Sequence, residues 1–348
     1  MKKIYIFTIV AFLLTFIKSS SDIINVIICS TAVIPVAILL GDFTSDISEY
    51  IGEKKGGLLA ATLGNLPELM MGIWSIQYGM LPMVKSALIG SIIGNMLLVL
   101  GISIFFGGIK YKDQKFNKMA ARTNFNMLLL AMSAIIVIAS INKYGMLTKV
   151  ILTSISVKVA VVLITVYMLG LVFSMYTHCN LFVISDEKEE MKNTSLHDIK
   201  IIIAGICLSS ILLYIISEKL IYNIKSIVNT HNISQEFLGI MLIPILGNVG
   251  ENISAIMSAL KNKINLSLEI AIGSSIQISL FVAPLLILFA YFTTAPMTLI
   301  FSTFQIIICL IAVGMSYFVF QDGKTYWLEG AILIAIYIMI ALGYYYVA

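Results

Sequence analysis

The chain has 348 residues, 59% hydrophobic and 11% charged, with a formal net charge of +4 and a mean hydropathy of +1.01. So few polar residues cannot cover a water-soluble globular domain, which excludes that class. What remains is a polytopic membrane protein whose length is spent on spans.

In chain order, apolar segments long enough to cross the hydrocarbon lie near 23–41, 56–79, 82–107, 123–142, 150–177, 199–217, 236–260, 265–292, 297–320 and 326–347. Residues 4–17 form a shorter one. A spanning strand would need a closed barrel with alternating polarity, and no such alternation is present. The expectation is an all-α membrane protein of about eleven transmembrane helices. Lys2 and Lys3, the short apolar run and Lys18 to Ser21 also resemble a secretory signal peptide. No clear small-residue cleavage site follows, so residues 1–20 are read as a retained leading helix.

Charge placement orients the spans. With the N-terminus in the cytoplasm, that side holds Lys2, Lys3, Lys54, Lys55, Lys110, Lys112, Lys115, Lys118, Arg122, Lys188, Lys192, Lys200, Lys261, Lys263 and Lys324, which is 15 of 22 basic residues. The bias predicts N-inside and C-outside.

Two short motifs then echo one another. GNLPE (Gly64 to Glu68) recurs as GNVGE (Gly247 to Glu251), and Gly90-Ser91 recurs as Gly273-Ser274, both at an offset of 183 residues. Each motif puts a glutamate in the middle of an apolar span, where an ionisable group costs roughly 2.5–3.5 kcal/mol. Five spans separate the two glutamate helices, so the second copy is expected upside down relative to the first, the inverted-repeat plan of many secondary transporters.

The surroundings suit a hard cation. Gly64 and Gly247 lie one turn before the carboxylates and allow close backbone approach or a local break. Asn65 and Asn248 lie three residues before Glu68 and Glu251, on the same helix face, and add neutral carbonyl oxygens. Pro67 removes a donor and loosens the carbonyl near Leu63. Calcium takes about 6–8 oxygens, and this set offers them as metal ligands. No Cys/His cluster offers a softer metal a site.

These motifs resemble those of the calcium/proton exchanger family within the cation/calcium exchanger superfamily. The stretch from Gly57 through GNLPEL and SALIGSIIGNMLLVLG (Ser86 to Gly101) is similar to that family's first signature; Pro244 to Leu285 is similar to its second. The resemblance extends over most of the chain from about residue 40. It implies one leading helix (1–20), a first five-helix repeat (21–180), an acidic cytosolic linker (181–198, with Asp186, Glu187, Glu189 and Glu190) and a second five-helix repeat (199–348). Two departures stand out. Many members have Thr where this chain has Pro67, and His where it has Asn252. Pro67 looks more like the sodium/calcium exchangers, which keeps sodium-driven calcium transport as the alternative.

The mechanism expected is competition. Burial and a like-charged neighbour both disfavour an ionised carboxylate, and two facing acids titrate as a pair. One calcium ion neutralises both glutamates, and so do two protons. The site therefore crosses loaded with either and is penalised when empty. Ser91 and Ser274, with Asn95 and Gln277 about one turn on, are support residues for the ion or proton pathway. As the resemblance implies, their helices pack across the glutamate helices. The plainer reading of the two serines is small-residue packing; the two amides are harder to bury without a role.

Asp42, Asp46, Glu49 and Glu53 share one helical face and suit an entrance field or a solvated helix end. The four cysteines have no pairing spacing. HExxH, GxSxG and phosphate-loop motifs are absent, so no enzyme is expected. A channel with ringed acids usually relies on rotational oligomeric symmetry, whereas repeats within one chain point to alternating access. Calcium and protons are the expected cargo, with no cofactor. The expected surroundings are a lipid bilayer, taken as a bacterial plasma membrane, with no nucleic acid; a homo-oligomer is compatible with this plan.

Overall fold

The computed structural model describes residues 2–17, 19–51, 59, 62–145, 147–178 and 196–347. These residues are helical apart from turns, short irregular links and one two-stranded antiparallel sheet. In chain order the helices are α1 (Lys2–Leu14), α2 (Asp22–Ile51), α3 (Leu66–Gln77), α4 (Leu81–Lys110), α5 (Lys118–Gly145), α6 (Lys149–Thr177), α7 (Leu196–His231), α8 (Gln235–Gly247), α9 (Val249–Leu260), α10 (Ile264–Tyr291), α11 (Thr303–Val319) and α12 (Trp327–Val347). Strands β1 (Gln114–Lys115) and β2 (Lys324–Thr325) pair antiparallel and tie the α4–α5 link to the α11–α12 link. The linker expected at 181–198 lies almost wholly outside the described residues, as does Glu53.

Among the described residues, seven helices are long and apolar enough to cross a membrane, or eight if the bent pair α8–α9 is one span. Their outward faces carry exposed Val161, Val162, Leu169, Ile211 and Leu342. In water such faces would aggregate; in a bilayer they meet a solvent as apolar as themselves. The interior holds two buried apolar clusters. One joins α4, α5, α10 and α11; the other joins α2, α7 and α8 with Met71 of α3.

The spans read as continuous at 56–79 and 236–260 are interrupted. Leu63 is helical, Gly64 and Asn65 form a turn, and α3 starts at Leu66. Between α8 and α9 the axis bends by 65° at Asn248. Hydropathy is blind to such breaks, because Gly and Asn sit inside stretches that remain apolar on average. The backbone of Asn65 (φ −96°, ψ 19°) nearly repeats that of Asn248 (φ −100°, ψ 16°). Both lie in the sparsely populated bridge region. Each asparagine carbonyl accepts the first bond of the following helix, from Leu69 N at 3.1 Å and Asn252 N at 2.8 Å.

Other bounds repeat at the same 183-residue spacing. Residues Leu66–Gln77 correspond to Val249–Leu260, and Leu81 to Ile264. Within α4 and α10, π-helical turns occupy Gly94–Val99 and Ile278–Val282. Such turns are rare and collect at functional sites.

Two further differences from the sequence reading have local causes. The span near 199–217 continues to His231, because the polar residues past 217 find partners along α7. Lys219 Nζ donates to the Thr15 carbonyl at 3.1 Å, and Ser226 Oγ donates to Asp22 at 2.6 Å. The span near 297–320 starts only at Thr303, where Ser302 and Gln305 form a reciprocal capping box.

Candidate ion-binding site

The breaks decide where the carboxylates lie. Glu68 and Glu251 are not in mid-helix, as the sequence reading had them. Each sits in the first turn of the half-helix that follows its break, α3 and α9. There the unpaired N–H groups and the helix dipole give positive potential, which favours an anion at membrane depth. Gly64 and Asn65 form the first break; Gly247 ends α8 and Asn248 caps both α8 and α9.

The two breaks meet. A Cβ added to Gly247 would lie 2.5 Å from Cδ and Oε1 of Glu68, so the first repeat's carboxylate rests on the second repeat's glycine. Glycine is required here by that close approach. Glu251 lies within electrostatic range of Glu68, and the Asn248 side chain adjoins the Glu68 carboxylate. Neither Glu68 oxygen, nor Oε2 of Glu251, meets hydrogen-bond geometry with any donor among the described residues. Glu68 is only 6% exposed. Buried carboxylate oxygens without donors are costly, and a cation or proton removes that cost.

A neutral network surrounds the acids and crosses between the two halves. The Ser274 hydroxyl lies 3.3 Å from Asn65 Oδ1 and 3.2 Å from Asn248 Oδ1, so its single proton is shared between two amide oxygens. Asn65 Nδ2 donates to Gln277 Oε1 at 2.5 Å. Both amide carbonyls thereby point at one spot, and their orientation is fixed by neighbours on α10. Eight of the ten residues picked from the sequence fall here: Gly64, Asn65, Glu68, Gly247, Asn248, Glu251, Ser274 and Gln277.

The other two lie on α4. Ser91 is buried and lines a narrow cavity that begins at Glu68. Asn95 is buried on the π-turn of α4, and its Nδ2 has no partner among the described residues. It takes no part in the Ser274 network. What the sequence reading missed is the rest of that cavity: Met71, Gly72, Ser75, Met83 and Leu286. Ser75 was findable, since it lies 183 residues before Ser258. Leu286 was not, because only packing brings it to Gly72.

Among the described residues no group of three His, Cys, Asp or Glu side chains gathers anywhere. The oxygens available here are two carboxylates with neighbouring amide and hydroxyl groups, a hard-oxygen set of the kind calcium prefers. Two charges, rather than three or four, balance a divalent ion without burying excess charge.

Comparison with known proteins shows the family and the fold. The sodium/calcium exchanger protein family matches the chain twice, over residues 21–176 and 201–346. A Ca(2+)/H(+) antiporter of Aphanothece halophytica is 36% identical over 333 residues, covering 91% of this chain and 88% of that protein. The Ca(2+)/H(+) antiporter ChaA of Bacillus subtilis is 33% identical over 330 residues, covering 93% and 92%. Among solved structures, native YfkE superposes with a TM-score of 0.83 at 29% identity, covering 98% of each chain. A H+/Ca2+ exchanger, CAX, shares the fold at a TM-score of 0.75 and 13% identity, covering 98% of this chain and 90% of that one. With both halves matched by one family, and full-length relatives above 30% identity, the chain belongs to the sodium/calcium exchanger protein family.

Proposed function

We propose that the chain is a calcium/proton antiporter that works by alternating access, with Glu68 and Glu251 holding either one calcium ion or protons. The observation that carries this is the pair of glutamates at two facing helix breaks, with buried oxygens that no donor among the described residues satisfies. The two relatives compared above are named as Ca(2+)/H(+) antiporters, which supports protons over sodium as the counter-ion.

The coupling follows from charge. With the site empty, two carboxylates share a dehydrated space and the loaded helices cannot move without carrying that charge through a low-dielectric interior. Calcium cancels both charges, and two protons do the same. The permitted crossings are the two neutral ones, so calcium moves one way only as protons move the other. Asn65 and Asn248 supply amide oxygens to the ion, Ser274 and Gln277 hold those amides in place, and Ser91 and Asn95 line the approach on α4. The serine proton now shared by two carbonyls must turn away when calcium arrives, which keeps binding reversible.

The architecture we infer is a leading helix, 1–20, followed by inverted five-helix repeats at 21–180 and 199–348, eleven helices in all, with 181–198 as the joint. The twice-matched family and the repeated helix bounds support this plan. The basic-residue bias supports a cytoplasmic N-terminus and an external C-terminus.

The test is calcium uptake into everted vesicles under an imposed pH gradient. Glu68→Gln and Glu251→Gln each abolish uptake, because one remaining carboxylate leaves a calcium-loaded site with net charge. Wild-type protein driven by a sodium gradient at equal pH shows no uptake. Normal proton-driven exchange in either variant, or equal driving by sodium, contradicts the proposal.

A further inference from the structure

The buried residues of α6 are Leu152, Ser156, Ala160, Leu163 and Tyr167, whose spacings of three and four mark one inward stripe. Val161, Val162 and Leu169 are exposed on its outward flank. Two residues of the stripe carry hydroxyls, and their situations differ. Ser156 Oγ accepts from Leu299 N at 3.1 Å, which ties α6 to the α10–α11 link. Tyr167 is 4% exposed, and its hydroxyl has no partner among the described residues. A buried tyrosine hydroxyl normally finds one, because an unpaired one forfeits the bond it makes in water. Inside a membrane protein such a group marks a functional position.

Packing brings that hydroxyl to the ion site. The Tyr167 ring lies against Phe281 of α10, with centroids 5.3 Å apart and planes at 30°. Phe281 belongs to the π-turn Ile278–Val282, one turn beyond Gln277, whose amide oxygen accepts from Asn65. Tyr167 thus stands beside the part of α10 that holds the site's amides. The charged group within electrostatic range of its phenol is Glu251. Glu251 in turn lacks a committed donor. Ser274 adjoins it, but the single Ser274 proton is shared between Asn65 and Asn248. Glu251 Oε2 is buried and has no partner among the described residues. An uncommitted O–H and an uncommitted carboxylate oxygen therefore lie within electrostatic range of one another.

We infer that Tyr167 is a further residue of the ion site, a positioning residue whose hydroxyl donates to Glu251 when calcium is bound. The bond closes as Glu251 turns one oxygen to the ion and the other to the phenol. A hydrogen bond to an ionised acceptor is about twice as strong as one between neutral groups. The phenol therefore favours Glu251 in its calcium-holding form over its protonated form. Outer partners of metal ligands act in this way, by holding the ligand in the direction the metal needs. Tyrosine suits the position, because its ring packs in the apolar core and only its tip is polar. Glu68 is placed differently, against Gly247 and Asn248, so the two carboxylates are not equivalent. The inference rests on the exchange reading, with Glu251 as an ion ligand.

The test is terbium luminescence together with calcium affinity in the purified full chain in detergent. Terbium occupies calcium sites, and an aromatic ring beside the ion sensitises its emission. In wild-type protein calcium displaces the sensitised signal, and the Glu68→Gln/Glu251→Gln double variant lacks it. At saturating terbium, Tyr167→Phe loses most of the tyrosine band of the excitation spectrum, while directly excited terbium shows that the ion stays bound. Its calcium dissociation constant rises about 10–100-fold, the usual cost of removing an outer partner of a metal ligand. Without calcium its thermal midpoint stays near wild type, because the ring remains packed on Phe281. Tyr167→Leu serves if the phenylalanine variant fails to accumulate, and shows the same two losses. A retained tyrosine band, or a calcium affinity equal to wild type, overturns the inference: the first puts the ring away from the ion, the second leaves the hydroxyl without a role. Neither measurement needs transport. Wild-type protein with no calcium-displaceable terbium binding rejects the ion site itself. Intact wild-type binding and uptake with an unaltered Tyr167→Phe variant rejects the part of Tyr167 alone.

Discussion

At the scale of single residues, the site depends on what is missing from side chains as much as on what is present. Gly247 has no Cβ, and the Glu68 carboxylate occupies the place where one would be. Gly247→Ala should displace Glu68 and lower pH-driven calcium uptake by on the order of tenfold or more, since misplacing one oxygen ligand by an ångström is enough to cost that much. Thermal unfolding should show loss of only about 1–3 kcal/mol, the usual overpacking cost. A variant with wild-type uptake would mean that Glu68 does not need its observed position. The acids, the asparagines and the glycines were legible in the sequence because a repeated polar motif in apolar surroundings has no other easy explanation. The sharing of one Ser274 proton by Asn65 and Asn248 was not legible, because it joins residues 209 and 26 positions apart.

At the scale of elements, the half-helices need anchors, because each has lost the support of a continuous span. The far end of α9 is held by three donors. Lys110 Nζ and Tyr111 Oη donate to the Leu260 carbonyl at 2.8 and 3.2 Å, and Gln114 Nε2 donates to the Ala259 carbonyl at 2.9 Å. Gln114 also donates to Asn262 Oδ1 at 3.1 Å, so the β1–β2 strand pair grips the α9–α10 turn. The far end of α3 is held from α7, where Lys225 Nζ donates to the Tyr78 carbonyl at 3.0 Å and Trp74 Nε1 donates to the Tyr214 carbonyl at 3.1 Å. Gln114→Ala removes two bonds from a buried group and should destabilise the protein by about 1–3 kcal/mol, read as a lower midpoint in detergent thermal unfolding. Hydrogen exchange should rise in α9 ahead of α3. Unchanged exchange in α9 would show that the strand pair is not its anchor. The sequence revealed which segments are apolar and where Pro67 weakens a helix. Gly64 and Gly247 marked where a local break was open to the chain, but that both glutamate spans do break was not fixed by hydropathy, since no average over a window registers a single turn.

At the scale of the whole molecule, two halves of one family's pattern meet at their breaks, and the proposed exchange site lies on that seam. Hydropathy and charge bias were sufficient for the fold class, because a chain this apolar has few architectures open to it. The extension of α7 to His231 escaped them, since polar residues in that helix are paired within the fold and read as a loop only when taken alone. The central claim is that calcium and protons exclude one another at Glu68 and Glu251. The most direct measurement is proton release when calcium is added to purified full-length protein in a weakly buffered solution. Metal binding to protonated ligands liberates their protons, so the account predicts about two per calcium bound below the pH at which the pair ionises. It predicts none in the Glu68→Gln/Glu251→Gln double variant. Saturable calcium binding by the wild-type protein with no proton release across that pH range would contradict it.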